Sequence, residues 1–183
     1  MAKQHATGSV YFSAPVDDRI EQHTISVVVD NEAGVLARVI GLFSGRGYNI
    51  DSLTVSETEH EKHLSRITIV TTGTAMVIEQ IKAQLGRLVP VHRVTDLTTE
   101  GRPIERELAL VKVVGTGEKR VEALRLADAF NARVTDATTG HFVFEIVGRS
   151  DKIGQFIALM QDLGLVEVAR TGVAAISRGE AKA

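Results

Sequence analysis

The sequence predicts an α+β protein of two consecutive βαββαβ units, each an antiparallel sheet with its helices on one face. Three observations lead there. Short runs rich in β-branched residues alternate with runs whose apolar residues recur at helical spacing. The resulting order of elements occurs once in the first half of the 183 residues and again in the second. A polar Gly-Arg-Pro stretch separates the halves, as expected of a linker. A chain of this order folds most simply as a ferredoxin-like plait, so two such plaits are expected.

The elements follow in order. His23–Val29 (HTISVVV) reads as a strand, and Val35, Leu36, Val39, Ile40 and Phe43 carry helical spacing. GYNIDSLTV and LSRITIV read as a hairpin around the polar turn Glu59 to Lys62. Val77, Ile78, Ile81, Leu85 and Leu88 make one helical face, and VHRVTDL closes the first unit. The second unit runs through ELALVKVVG as strand, Val121 to Phe130 as helix, ARVTDAT and HFVFEIV as hairpin, Ile153 to Leu163 as helix, and GLVEVARTGVAAI as one last strand. The boundaries so read are a polar extension over 1–21 expected to be disordered, a first domain over 22–97, a linker over 98–105, a second domain over 106–179 and a tail over 180–183. In the first strand Ile25, Val27 and Val29 alternate with Ser26 and Val28, so neither face is fully polar. The face away from the helices therefore needs cover from the sister domain or from a second subunit.

Composition excludes several classes. With 44% hydrophobic residues the chain can form packed cores, and its longest apolar runs fall far short of the roughly 18 residues of a membrane span. No membrane association and a cytoplasmic location are expected, since the first 20 residues lack the apolar core of a signal peptide. The absence of cysteine rules out disulfides and thiolate chemistry. A net charge of −2, six Phe, two Tyr and no Trp give no basis for binding nucleic acid.

The most informative motif is Asp30-Asn31-Glu32-Ala33-Gly34-Val35-Leu36, where a strand turns into a helix. A helix start presents unpaired N–H groups and the positive end of the dipole, which suits a carboxylate. Gly34 permits φ > 0 and close approach, and the Asn31 amide offers a donor and an acceptor to an amino acid's head group. Asn49, between the helix and the next strand, is expected near the same end, adding a second amide. The same residues are also ordinary turn and helix-start chemistry, and both readings stand at this point. Other motifs do not develop. His60-Glu61-Lys62-His63 has the wrong spacing for a zinc helix and reads as a solvated turn, Gly115-Thr116-Gly117 lacks a following Gly-Lys-Ser/Thr, and Ser44-Gly45-Arg46-Gly47 lies at a helix C-terminus. Neither a nucleophile elbow nor a paired-carboxylate pattern accompanies the Ser, His and acidic residues, so no catalytic or metal site is expected.

Residues 30–70 (DNEAGVLARVIGLFSGRGYNIDSLTVSETEHEKHLSRITIV) strongly resemble the opening of the small regulatory subunits of acetolactate synthase, or acetohydroxyacid synthase. IEQIKAQLGRLVPVHRVTDL, ERELALVKV and EVARTGVAAISRG resemble later segments of that family, so the likeness spans about residues 22 to 179. The resemblance implies that the first unit is an ACT domain, a module used in responses to amino acids. It implies a non-catalytic chain that activates a large subunit using thiamine diphosphate, FAD and Mg²⁺, with no cofactor of its own. It further implies a homodimer through the ACT domain and feedback inhibition by valine, with leucine or isoleucine as weaker effectors, in branched-chain amino-acid biosynthesis. The effector positions carried over are Asn31, Gly34 and Asn49, with Val35, Leu36 and Ile50 as further candidates for amides and apolar wall. A stand-alone ACT regulator of another enzyme is the alternative. The second unit has no counterpart of the Asn-Glu-Ala-Gly loop.

Overall fold

The structure, a computed structural model, describes residues 19–59, 61 and 63–180. In the first unit β1 (Ile20–Asp30) leads through α1 (Val35–Arg46) to the hairpin β2 (Ser52–Glu59) and β3 (Leu64–Thr74), then α2 (Ala75–Leu85) and β4 (Val91–Asp96). The strands lie in the order β2-β3-β1-β4, with every neighbouring pair antiparallel. The second unit repeats this with β5 (Ile104–Val114), α3 (Gly117–Ala129), β6 (Arg133–Ala137), β7 (His141–Gly148), α4 (Ser150–Gln161) and β8 (Leu165–Arg170), ordered β6-β7-β5-β8. Both are the ferredoxin-like order that the element pattern implies.

The helices form because one face of each has a sheet to bury against. Val35, Val39 and Phe43 of α1, and Ile78, Ile81 and Leu85 of α2, pack on Ile25, Val27, Val29, Ile67 and Ile69. Thr74 starts α2 by accepting the Val77 N–H. Gly47, left-handed at φ 70°, ends α1, and the Tyr48 N–H returns to the Phe43 carbonyl at 3.0 Å. Leu88, read from the sequence as part of the α2 face, lies in the turn after that helix yet still packs against the core. In the second unit Ala109, Val111 and Val113 of β5 and Phe142, Phe144 and Ile146 of β7 meet Ala123, Ala127, Ile153, Phe156 and Met160, with Phe144 edge-on to Phe156 at 6.0 Å.

Three boundaries differ from the sequence reading. β1 begins at Ile20, inside the stretch expected to be an extension, because β3 is long enough to pair Ile20 with Thr74. The remainder of that extension lies outside the described residues, as do His60, Lys62 and the final three positions. β5 begins at Ile104, inside the expected linker. The last strand is not continuous: after Arg170 the chain turns at Gly172, φ 81°, and re-forms as β9 (Ala174–Ile176), paired with Ile104–Arg106. Gly in EVARTGVAAI is the local reason, since a left-handed residue cannot continue a pleated strand.

The break in that strand supplies the cover the first sheet needs. Val173 and Ala175 bury against Val70 and Leu97 on the side of the sheet opposite α1 and α2. The sister domain therefore covers part of this face.

Candidate functional site

The loop after β1 is fixed from both sides. Asp30 N–H donates to the Pro90 carbonyl at 2.9 Å and Asn31 N–H to the His63 carbonyl at 2.7 Å. Gly34 caps α1 in the left-handed conformation, φ 86° and ψ −8°, with no side-chain cap. The Val35 N–H closes on the Glu32 carbonyl at 3.4 Å, and the first full helical bond runs from Arg38 N–H to the Gly34 carbonyl at 3.0 Å. Helix geometry leaves the N–H groups between them aimed out of the helix end. A Cβ built on Gly34 meets nothing within 4 Å, so the space in front of this loop is open. Asn31 and Gly34 are exposed and Leu36 is 37% exposed, whereas Val35 is 3% exposed and its side chain belongs to the core. The Val35 side chain therefore supplies no apolar wall here, and its N–H is already engaged by Glu32.

Asn49 is elsewhere. Its carbonyl accepts from Thr71 Oγ1 at 2.6 Å and its amide donates to Asp51, which also accepts from Thr72 Oγ1 at 2.6 Å. His63 marks the Asn31 end of β3 and Thr71 the Asn49 end, a separation of about 26 Å at the strand rise of about 3.3 Å per residue. The expectation that Asn49 shares the Asn31 end is thus corrected for a single chain. α1 carries the chain along the length of the sheet before β2 begins, so the two asparagines sit at opposite ends. Ile50 follows Asn49 and is half-buried against the first core.

Among the described residues no strand pairs with the edge between these ends. β2 is an outer strand, and Leu53, which packs on the core beneath the helices, fixes Val55 by alternation on the same face, 46% exposed. α1 crosses over β3 to reach β2, so it lies at this edge, where it exposes Leu36 and Ile40. Leu36, Ile40 and Val55 are thus large apolar side chains exposed on α1 and β2.

A second concavity, about 520 Å³, lies between the two units and is walled by Asp51, Ser52, Glu107, Arg149, Arg170 and Gly172, among others. Glu107 is 5% exposed and receives Arg170 Nε at 2.8 Å, Arg170 Nη2 at 2.6 Å and Ser150 Oγ at 2.8 Å. Sequence reading missed this group, because Glu107, Ser150 and Arg170 lie far apart in the chain and carry no motif. Among the described residues no group of three or more His, Cys, Asp or Glu is arranged to hold a metal, and no helix is long and apolar enough to cross a membrane.

Two successive βαββαβ units, the first with an open, glycine-capped helix start, place the chain in the ferredoxin-like class to which ACT domains belong. Residues 25–93 match the family model of the ACT domain of acetohydroxyacid synthase small subunits, and residues 106–179 match that of the small subunit of acetolactate synthase. The chain belongs to the family of acetolactate synthase small subunits. It is 46% identical over 157 residues to the acetolactate synthase isozyme 3 small subunit of Escherichia coli, covering 85% of this chain and 95% of that one. With the acetolactate synthase small subunit of Aquifex aeolicus it shares 44% over 161 residues, 87% of this chain and 83% of the other. The crystal structure of the small subunit from Thermotoga maritima superposes with a TM-score of 0.77 at 36% identity, covering 88% of this chain and 99% of that chain.

Proposed function

We propose that this chain is a feedback-sensing subunit that binds valine between two ACT domains and thereby sets the activity of a thiamine-diphosphate-dependent acetolactate synthase catalytic subunit. The observation that carries the reading is the separation of Asn31 and Gly34 from Asn49 along the β2 edge. An antiparallel pairing of two β2 strands about a two-fold axis at Val55 sets the two copies of Val55 opposite each other, on one face as the pleat requires, and Ser52 of one copy opposite Thr58 of the other. Asn49, just ahead of Ser52, then overruns the partner's strand and arrives at the turn where His63 holds Asn31. The same pairing covers Leu36, Ile40 and Val55, the apolar side chains exposed on α1 and β2.

In such a site the α1 N-terminus receives the effector's carboxylate and the two asparagine amides, one from each copy, receive its head group. Leu36 and Ile50 supply apolar wall. Valine binds only the paired arrangement, so it shifts the population toward it. Tenfold inhibition requires a coupling of about 1.4 kcal/mol between effector and catalytic state. One methylene in an apolar pocket discriminates by about 1–3 kcal/mol, so leucine and isoleucine act at higher concentration. The chemistry belongs to the partner: thiamine diphosphate, FAD and Mg²⁺ are held by the catalytic subunit, and this chain contributes no reacting group.

The test is acetolactate formation from pyruvate by the cognate catalytic subunit, with and without this chain, across a valine titration. Stimulation that valine reverses is the expected result. Asn31→Ala and Gly34→Asp retain stimulation and lose the valine response; the aspartate meets no atom in front of the loop, although φ 86° strains any residue with a Cβ there, and it sets a carboxylate against that of the effector. Variants as sensitive as the parent refute the site. A folded chain without effect on the synthase points to a stand-alone amino-acid regulator of another enzyme.

A further inference from the structure

We infer that two hydrogen bonds between β2 and Val173 form the contact through which the effector site acts on the C-terminal domain; the inference rests on the effector reading above. Ser52 Oγ accepts the Val173 N–H at 2.9 Å, and Thr54 Oγ1 donates to the Val173 carbonyl at 2.9 Å. Both backbone polar groups of one residue in the second domain are thus satisfied by neighbouring hydroxyls on the outer face of one strand in the first. The arrangement resembles a ladder step made by side chains.

Gly172 lets the strands come this close. A Cβ there would stand 2.8 Å from Ser52 Oγ and 3.0 Å from Thr54 Cγ2, and φ is 81°. Only glycine meets both conditions without displacing β2. Beside the contact, Val70 and Leu97 of the first domain bury against Val173 and Ala175.

The position of this contact gives it a role beyond holding two domains together. Ser52 opens β2 directly after Asn49 and Asp51, whose side chains are joined to each other and to Thr72. A ligand that draws Asn49 toward a second copy therefore pulls on the first residues of β2. On the other side, Val173 lies between β8, which belongs to the second sheet, and β9, which pairs with the start of β5. A shift of β2 reaches β9 at the very next residue, Ala174, and β8 across the two residues Thr171 and Gly172. Two hydroxyl bonds with fixed partners have discrete made and unmade states, the property a coupling element requires.

The test uses the full chain with its catalytic subunit and the variants Ser52→Ala, Thr54→Val and Thr54→Ser. None of these positions is among the proposed effector contacts. Three quantities are read: the valine Kd of the chain by calorimetry, stimulation of acetolactate formation without valine, and inhibition by valine. Ser52→Ala and Thr54→Val are expected to keep Kd within about threefold and stimulation within about twofold while the half-inhibiting valine concentration rises at least tenfold. Thr54→Ser, which keeps the donor, restores the parent response. In the parent, valine changes the exchange rate of the Val173 amide hydrogen, and in Ser52→Ala it does not. Inhibition like the parent's in both variants, or a Kd that weakens in step with the loss of inhibition, overturns the coupling role. A parent chain that binds no valine overturns the effector reading itself, and this inference with it.

Discussion

Removing the Glu107 carboxylate tests how the second domain is held together. Glu107 on β5 joins the end of β8 through Arg170 and the first residue of α4 through Ser150, with three hydrogen bonds of 2.6–2.8 Å. Burial by itself would raise its pKa, but the bonds from Arg170 and Ser150, the Arg170 charge and the Gly172 N–H outweigh burial and hold it below the usual value of 4.5. Glu107→Ala leaves the guanidinium without its partner. A wholly buried pair broken this way costs about 3–5 kcal/mol, but the Arg170 side chain is 39% exposed and water partly replaces the carboxylate, so about 2–3 kcal/mol is expected. Glu107→Gln keeps the shape and an acceptor for Ser150, and should cost about 1–2 kcal/mol. The sign of the pH dependence follows from the lowered pKa. The ionised group's contribution is complete above the unfolded value near 4.5 and is lost as pH falls through the lower folded value. Urea unfolding followed by circular dichroism, at fixed protein concentration from pH 7 to pH 3, should therefore show a gap between parent and Glu107→Gln that narrows below about pH 4.5. A gap independent of pH would refute the argument. So would a coupling under about 0.5 kcal/mol in the cycle with Arg170→Ala, a value typical of an exposed pair.

Two further outcomes are expected. Gly164→Ala should destabilise by about 3 kcal/mol or more in the same urea assay, because its Cβ would lie 2.1 Å from the Val114 carbonyl oxygen at a residue with φ 102°, and backbone cannot step aside. Val55→Glu should weaken self-association at least tenfold by sedimentation equilibrium with little change in the monomer's far-ultraviolet spectrum, since Val55 is 46% exposed on the outer strand β2 and two copies would oppose like charges at the two-fold.

Most of the architecture was legible because each core residue announces itself by period. Val35, Val39 and Phe43 are spaced as a helix stripe and are buried as one, and Ile25, Val27 and Val29 alternate as a strand and face the helices. Errors arose where partner strands, not local pattern, decided the outcome. Ile20 and Ile104 are strand residues because Thr74 and Ile176 lie opposite them, and no window around either position contains that information. The reading of GLVEVARTGVAAI as one strand gave its β-branched residues more weight than Gly172, whose positive φ breaks it. For the candidate site, the Gly34 conformation and the open helix start followed from local chemistry. The placement of Asn49 did not, because adjacency along a loop–helix–strand unit is not adjacency in space. A helix that spans the sheet separates what it joins.

That separation also explains why two copies of one fold in a single chain have different surroundings. In the first unit Leu36 near the start of α1 and Val55 on the outer strand β2 are exposed. At the corresponding helix starts of the second unit, Gly117 has a left-handed φ of 61° but follows Thr116 rather than an asparagine loop, and Ser150 at the start of α4 is engaged by Glu107. The polar groups of the second unit near the interdomain cavity thus hold its own strands and helix, whereas Thr24, Ser52 and Thr54 of the first reach across to the second. β2 stands between the two. Its helix-side residue Val55 and its outer edge face outward, while Ser52 and Thr54 on the opposite face hold Val173. Because side chains alternate along a strand, one eight-residue element can meet a second copy along its edge and the C-terminal domain across its face at once. If the proposed effector site lies at that edge, its signal has a single element to move.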